Sequence, residues 1–165
     1  MDRAELQILK TLDAAVRADD ARAKIDEIVA RVELKLNSMP DDVMAWEPVP
    51  LECYSSPLPE IIRSSWVFIL RARVVTGAER HPNSHQRMMS YRGWGDFQTR
   101  TTGDWESHFL KSDFNAPMEE RWISIPPYVW HQGVVPDQNW VVVSFQTAAV
   151  DGLIEERPDS QQFSI

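Results

Sequence analysis

The alternation of short apolar runs with turn residues after Ser64 restricts the fold of this chain more than any other feature. Ser64–Val75 is rich in β-branched and aromatic residues throughout, and further candidate strands follow in order: Arg87–Tyr91, Asp96–Thr101, Trp105–Asp113 (strand and loop), Arg121–Ile125 and Trp140–Thr147. Turn segments such as Arg92–Gly95 and Thr102–Asp104 separate them. Short strands with turns every eight to twelve residues or so are typical of β-sandwiches and barrels. The sequence therefore predicts a mainly β domain over residues 64–150.

The segment 1–38 predicts two helices in front of this domain. Apolar residues recur at helical spacing on one face of each segment: Leu6, Leu9, Leu12, Ala15 and Val16 in the first, and Ile25, Ile28, Val29, Val32 and Leu36 in the second. Ser38 and Pro40 end the second helix. Such a helical extension can pack against the outside of a sheet or mediate dimerisation, and helical periodicity does not distinguish the two.

Two further segments connect and end the predicted barrel. Residues 39–63 contain five prolines between Pro40 and Pro59, which predicts an ordered connector that wraps the domain in extended form. Residues 151–165 form a polar tail, frayed or folded back on the domain.

Composition predicts a cytoplasmic, single-domain protein. The chain has 165 residues and a net charge of −8, and its seventeen basic residues are scattered. An acidic chain without a basic stripe argues against nucleic acid and anionic membranes as partners. The single cysteine, Cys53, is compatible with a reducing compartment. The N-terminal residues show no secretory signal, and no apolar run approaches the length of a bilayer span.

Four polar residues suggest a site inside the barrel. Glu79 and His81 are two residues apart, so in an extended segment they point to one face. Gln86 follows after a short turn that begins at Pro82, and His131 lies some fifty residues later in a second proline-marked segment. Carboxylate, imidazole and amide oxygen are all ligands for divalent first-row metals.

These residues resemble the two motifs of the cupin superfamily. In the first motif, G-x5-H-x-H-x(3–4)-E-x6-G, Glu79 falls on the first histidine, His81 on the second, Gln86 on the glutamate and Gly93 on the closing glycine. The second motif, P-x-G-x-x-H, matches the segment from Pro126 to His131. The chain departs from both motifs at glycine positions, where it has Arg73 and Tyr128. The resemblance covers about residues 60–150.

The resemblance implies a cupin-like double-stranded β-helix, an RmlC-like jelly-roll barrel, with an N-terminal α-helical extension. It implies a divalent transition metal, Fe, Mn, Ni or Zn, held by Glu79, His81, Gln86 and His131. Oxygenase (including dioxygenase), isomerase and lyase reactions all occur in families of this kind, and fold analogy does not select among them. A homodimer is also expected.

Each site residue has a structural alternative. His81 and His131 could be ordinary hydrogen-bonded histidines. Gln86 could bind substrate instead of metal, since an amide oxygen is a weak ligand. Glu79 could be a ligand or a general base with a pKa raised by burial, or it could pair with one of three arginines: Arg71, Arg73 or Arg87.

Several residues are predicted to act around the metal. His85 is predicted as a catalytic proton carrier beside Glu79, in preference to a ligand role, because Pro82 makes a helical H-x3-H arrangement unfavourable. Tyr91 and Tyr128 are candidate substrate contacts, with core packing as the alternative.

Two further functions remain open from the sequence. One is a non-catalytic cupin that binds or senses a small molecule. The other is a metal-free cupin of the epimerase or isomerase kind, in which a histidine acts as the base.

Overall fold

The computed structural model describes residues 2–158, and these begin with two helices. Helix α1 (Arg3–Arg17) begins at Asp2, whose Oδ1 accepts a hydrogen bond from the Glu5 amide at 2.8 Å and so caps the first turn. Ala18, with a ψ of 135°, separates α1 from α2 (Asp19–Asn37). The apolar stripe predicted for α2 is buried, and so is that of α1 except for Leu6, which is half-buried.

Eight strands follow in the described residues and form two antiparallel sheets. They are β1 (Met44–Val49), β2 (Ser64–Leu70), β3 (Gln86–Arg92), β4 (Trp94–Arg100), β5 (Glu106–Lys111), β6 (Trp122–Ile125), β7 (Trp130–Val134) and β8 (Trp140–Gln146). One sheet has the order β1-β2-β8-β3-β6 and the other β5-β4-β7. The β3–β4 connection turns at Gly93, whose φ of 89° suits a residue without Cβ.

The two sheets face each other around an apolar core. Met88 and Val142 of the five-stranded sheet meet Phe97 and Leu110 of the three-stranded sheet in one buried cluster, which also contains Trp140. The non-consecutive order of strands in the larger sheet is that of a jelly roll. The predicted mainly β jelly-roll barrel with an N-terminal helical extension is confirmed.

The helices cover the outer face of the five-stranded sheet. Ile25, Val29 and Val32 of α2 share a buried cluster with Val67 and Ile69 of β2. The helical pair therefore packs on the barrel, which was one of its two expected uses. The expected homodimer stays a prediction.

The barrel begins before the predicted boundary at Ser64. Met44 to Val49, within the proline-rich segment, pair in register with β2 as an edge strand. Prolines are tolerated in edge strands because one side makes no ladder bonds, and Pro48 lies opposite Trp66 here. At the other end of β2, the strand predicted to reach Val75 stops at Leu70, because Arg73 adopts a φ of 62°.

The tail folds back on the domain as far as it is described. Glu156 forms a backbone bridge with Arg80. Residues 159–165 of the predicted tail lie outside the described residues. Within residues 2–158, neither helix is long and apolar enough to cross a membrane.

Candidate metal centre

The two sequence segments predicted to share a site are joined through their backbones. The Glu79 amide donates to the His131 carbonyl at 2.9 Å, and the His131 amide donates back to the Glu79 carbonyl at 2.8 Å. This bridge places the side chains together, with His131 Nε2 lying 3.5 Å from Glu79 Oε1. Residues some fifty positions apart are thus fixed opposite each other by main-chain geometry.

His81 completes a group of three potential ligands. Glu79, His81 and His131 each offer one nitrogen or oxygen atom, and these atoms all lie within 4.8 Å of one another. The two imidazole ring centres are 5.3 Å apart. Both histidines are buried, at 6% and 1% exposure, so this is an enclosed group and not a surface cluster. The structure brings together three of the four predicted ligands, and their metal-binding role stays a prediction.

Hydrogen bonds to backbone carbonyls orient both imidazoles. His81 Nδ1 lies 3.0 Å from the Ile154 carbonyl oxygen, and His131 Nδ1 lies 3.1 Å from the Val129 carbonyl oxygen. A carbonyl only accepts, so each Nδ1 carries a proton, and each Nε2 is the nitrogen that presents a lone pair when the ring is neutral. Phe97 stacks on the His131 ring at a centroid distance of 5.6 Å. This arrangement is typical of metal-binding histidines, whose second nitrogen is held by an outer hydrogen bond.

The His131 Nε2 atom has no hydrogen-bond partner among the described residues. It is buried, and its approach to Glu79 at 3.5 Å does not satisfy hydrogen-bond geometry. Two ligand atoms each about 2.1 Å from one ion, at a tetrahedral angle, would lie about 3.4 Å apart. The separation between Glu79 and His131 therefore suits a shared metal ion. A buried nitrogen without a partner is costly, so its retention calls for a ligand.

The Glu79 carboxylate is ionised and already partly neutralised. Its Oε2 accepts a hydrogen bond from Arg157 Nη2 at 2.8 Å. Burial by itself would raise the pKa of Glu79, but His131, His81 and Arg157 together lower it below its ordinary value. This direction is opposite to the raised pKa expected of a buried general base, and it favours the alternative in which Glu79 is a ligand.

The ion-pair alternative for Glu79 identified the right interaction with the wrong partners. Arg71 donates to backbone carbonyls at the end of α2, and Arg87 pairs with Glu5. Arg157 lies in the polar tail, and its contact with Glu79 spans 78 positions. No local sequence signal identified it.

Gln86 borders the same cavity as Glu79 and His131. Its side chain is buried at 4% exposure, and its Nε2 donates to Ser144 Oγ at 3.2 Å. Its Oε1 has no partner among the described residues. A buried acceptor beside the imidazoles can serve a metal ion or a bound molecule, so both predicted uses of Gln86 remain open.

Aromatic side chains form one wall of the space next to the group. A cavity of about 100 Å³ is bordered by Glu79 and His81 on one side and by Leu153, Glu155 and Arg157 of the tail on another. Its remaining wall consists of Met44, Trp46, Trp66 and Phe68. Ring centres of Trp46 and Trp66 each lie 6.3 Å from that of Phe68. The cavity is smaller than the roughly 300 Å³ at which drug-sized sites begin, so it suits a small molecule.

His85 lies outside this site. Its Nε2 is 2.7 Å from Ser124 Oγ and 3.9 Å from Glu5 Oε1, in a cluster beneath helix α1. Adjacent residues in extended chain point to opposite faces, and Gln86 already points inward. Burial and the nearby Arg87 lower the pKa of His85, which favours the neutral ring. The structure does not place His85 where it could carry protons for the group.

The two predicted substrate contacts also lie elsewhere. The Tyr91 hydroxyl donates to Asp26 Oδ1 at 2.8 Å between sheet and helix, where burial, with the hydrogen bond to Asp26 next, raises its pKa to about 12. Tyr128 is exposed, and its ring lies 5.8 Å from the Arg80 guanidinium. Neither tyrosine borders the cavities beside Glu79.

Two strained residues support the motif alignment. Arg73 and Tyr128 have φ values of 62° and 67° and are the non-glycine residues with positive φ in the described chain. Both stand where the cupin motifs have glycine, which adopts this conformation without a steric penalty. One precedes Glu79 and the other precedes His131, so the chain keeps the motif's backbone while changing its side chains.

Comparisons with known proteins identify the fold. No protein-family model and no curated protein matches the sequence. Among solved structures, an oxalate oxidase aligns with a TM-score of 0.57 at 11% identity, over 78% of this chain and 61% of that one. The 11S allergen from Cocos nucifera L. gives a TM-score of 0.56 at 13% identity, over 74% of this chain and 32% of the allergen.

A third similar structure is the capsular polysaccharide assembling protein CapF from Staphylococcus aureus. It gives a TM-score of 0.53 at 13% identity, over 71% of this chain and 30% of that protein. The chain thus spans less than two thirds of the length of each of these structures. All three have the cupin fold. These structural alignments establish that the chain has the fold of the cupins. At identities this low they do not establish its activity.

Proposed function

We propose, from its cupin fold and buried ligand group, that this chain binds a divalent transition metal and acts on a small organic molecule. Glu79, His81 and His131 would hold the ion, with Gln86 beside it. The observation that carries the proposal is the pair of imidazoles held at Nδ1, with the buried His131 Nε2 atom lacking a hydrogen-bond partner within residues 2–158. The proposal concerns residues 2–158, the part of the chain that the structure describes.

The ligand set favours a particular group of metals and reactions. Two histidines and one carboxylate with open positions are typical of non-haem Fe(II) oxygenases, and the same donors also suit Mn, Ni and Zn. When bound, the ion would act as a Lewis acid that binds and polarises an oxygen atom of the substrate. A dioxygenase-type reaction is therefore our first choice over isomerase or lyase chemistry.

The protein side chains would hold the substrate and keep water out. Met44 and Phe68 border both the outer cavity and a smaller space of about 20 Å³ next to Gln86 and His131. These apolar groups limit solvent near the ion, which strengthens electrostatic interactions there. The Gln86 Oε1 atom is available to accept a hydrogen bond from a substrate hydroxyl or amine.

A metal-free binding or sensor protein is the second candidate. The contact between Glu79 and Arg157, 2.8 Å long, already supplies a positive charge at the carboxylate. In this alternative the aromatic wall and the two imidazoles hold a ligand without an ion.

Metal content discriminates the two candidates. Protein purified without chelator is analysed by mass spectrometry, and the metal-free protein is titrated with Fe(II), Mn(II), Ni(II) and Zn(II). We expect about one equivalent of metal per chain, with affinity at least about 100-fold lower in His81→Ala and His131→Ala. His108→Ala is the matched control, because His108 bonds to Thr99 and lies outside the group. Metal-free protein that gains no ion in the titration would rule out the first candidate.

We further propose that the chain works without nucleic acid or membrane partners, in the cytoplasm and as a homodimer. The scattered basic residues and the net charge of −8 argue against nucleic acid and anionic membranes as partners. Light scattering tests the homodimer, and a monomeric mass at micromolar concentration would contradict it.

A further inference from the structure

The segment formed by residues 152–157 lines one side of the cavity next to Glu79 and His81. Asn83 Nδ2 donates to the Gly152 carbonyl at 2.7 Å, and the Ile154 amide donates to Asn83 Oδ1 at 3.0 Å. Alternate residues of this segment (Leu153, Glu155 and Arg157) line the cavity. The segment is therefore extended, with one face turned to the site.

Arg157 stands where the cavity meets the surface. It borders both the cavity beside His81 and an open cleft of about 320 Å³, and Trp46 does the same. Its Nη2 donates to Glu79 Oε2 and its Nε donates to Glu155 Oε1, both at 2.8 Å. A molecule that reaches the ligand group from this cleft would pass Arg157 and Trp46.

Metal binding at Glu79 would change the charge that Arg157 faces. Among the described residues, two carboxylates and one guanidinium line the cavity, a net charge of −1. A divalent ion would change this to +1 and draw the Glu79 charge toward itself. The guanidinium now donates to both Glu79 and Glu155, so a carboxylate from a bound molecule would take the place of Glu79 at Nη2 while the contact with Glu155 remains. Arg suits this role because a charge-assisted hydrogen bond from a guanidinium to a carboxylate is stronger than one between neutral groups.

The aromatic wall of the cavity limits the shape of a molecule that can bind there. Trp46, Phe68 and Trp66 lie on one face of β1 and β2, and Trp46 is 45% exposed. Adjacent ring planes are tilted by 33° and 36°, so they form a nearly continuous apolar surface. Aromatic surfaces of this kind stack on flat rings and unsaturated groups.

We propose that the cavity takes a small planar carboxylate, bound at its carboxylate group by Arg157 and along its apolar body by Trp46, Phe68 and Trp66. This inference rests on the proposed metal site for its charge argument. It assigns Arg157 as the residue that sets specificity, a role that no local sequence pattern indicates.

Three probes of matched shape and different charge test the proposal. Benzoate, benzamide and benzylamine are titrated into Zn(II)-loaded protein, with affinity measured by calorimetry and by tryptophan fluorescence. We expect benzoate to bind at least about tenfold more tightly than benzamide, as a charge-assisted hydrogen bond predicts. Equal or tighter binding of benzamide or benzylamine would overturn the proposal, as would no binding of any probe.

Variants assign the effect to Arg157. Arg157→Gln should abolish the preference for benzoate, and Arg157→Lys should keep part of it. Arg31→Gln is the matched control, since it also removes an arginine–glutamate pair, on the helix side of β1 next to Glu47. A benzoate preference that survives in Arg157→Gln, with folding checked by circular dichroism, would contradict the role of Arg157.

Metal analysis of the same samples separates the two proposals. Benzoate selectivity through Arg157 in protein that holds no metal would refute the proposed metal site alone. Bound metal without benzoate selectivity would refute the planar carboxylate alone.

Discussion

Buried polar groups lie on both faces of the five-stranded sheet, and they differ in how completely they are hydrogen-bonded within the described residues. Beneath the helices, Arg121 donates two hydrogen bonds to Asp13, and Trp122 Nε1 donates a third. Nearby, Arg87 holds Glu5 through Nε and Nη2 at 2.7 and 2.8 Å, with only Arg87 Nη1 unpaired among these groups. These charges attach the helices to the sheet.

On the inner faces of the two sheets, three buried polar atoms have no partner in the described chain: Gln86 Oε1 and Gln146 Nε2 of the five-stranded sheet, and His131 Nε2 of β7 in the three-stranded sheet. The strained residues Arg73 and Tyr128 are found in the loops that lead to this side. Buried polar groups and backbone strain persist when something else requires them, and they cluster at functional sites. The comparison separates polar burial that stabilises the fold from polar burial that serves a ligand.

The substitution that should lower the unfolding free energy most lies on the helix-covered face of the five-stranded sheet. Asp13→Ala would leave the Arg121 guanidinium, 5% exposed, without its carboxylate. Removing one partner of such a pair costs about 3–5 kcal/mol of unfolding free energy, measured by urea denaturation of metal-free protein. Glu33→Ala, which removes an exposed pair with Arg92, should cost less than about 1 kcal/mol. Equal costs for the two variants would contradict the structural role of Asp13.

The same face predicts a loss of stability in acid. Burial by itself raises the pKa of Asp13 and Glu5, but hydrogen bonds outweigh it and lower both, from Arg121 and Trp122 for Asp13, and from Arg87 and Ser124 for Glu5. The folded state therefore binds fewer protons than the unfolded state. The contribution is present above the ordinary values of 3.8 and 4.5 and is lost as pH falls below them.

Urea denaturation at a series of pH values, on metal-free protein, measures this loss. Asp13→Asn should flatten the acid limb relative to the wild type. An unchanged or steeper limb would show that the Asp13 carboxylate is not the group responsible.

A substitution on the inner face should affect binding more than stability. Gln86→Leu removes an unpartnered oxygen at the cost of one hydrogen bond to Ser144. The unfolding free energy should change by no more than about 1 kcal/mol, while affinity for Zn(II) or for benzoate falls. A destabilisation as large as that of Asp13→Ala would mean that Gln86 is a structural residue like those beneath the helices.

The smallest expected effect concerns backbone strain. Tyr128→Gly should raise the unfolding free energy by a few tenths to about 1 kcal/mol, because glycine adopts a positive φ without steric cost and the exposed ring packs little. Thermal melts measure the change. A clear loss of stability would indicate that the Tyr128 ring, near Arg80, contributes more than the strain removes.

Much of the barrel could be predicted because its evidence is local. Period-two apolar runs, turn residues and the motif spacing all lie within short windows. Strands β3 to β6 and β8 follow them closely, and β2 begins as predicted but ends at Leu70. Strand β1 was missed because its prolines resemble a connector, and only its pairing with β2 shows that it is an edge strand.

The sequence predicted the site only where two signals applied: the spacing of the motif residues, and the rule that neighbouring residues of an extended chain point to opposite faces. Glu79, His81 and His131 meet as expected, but His85 could have been rejected from the sequence. It directly precedes Gln86, the first residue of β3, and neighbouring residues of an extended chain point to opposite faces. Arg157 could not be found, since its position depends on how the tail folds back on Arg80 and Asn83.

Anomalous diffraction from crystals of the Mn(II)-loaded protein would show whether Glu79, His81 and His131 hold one metal ion. We expect one strong peak within coordination distance of Glu79 and of the Nε2 atoms of His81 and His131, with the contact between Glu79 and Arg157 loosened. No peak among these three residues, with the Glu79 to Arg157 ion pair intact, would contradict the proposed metal site.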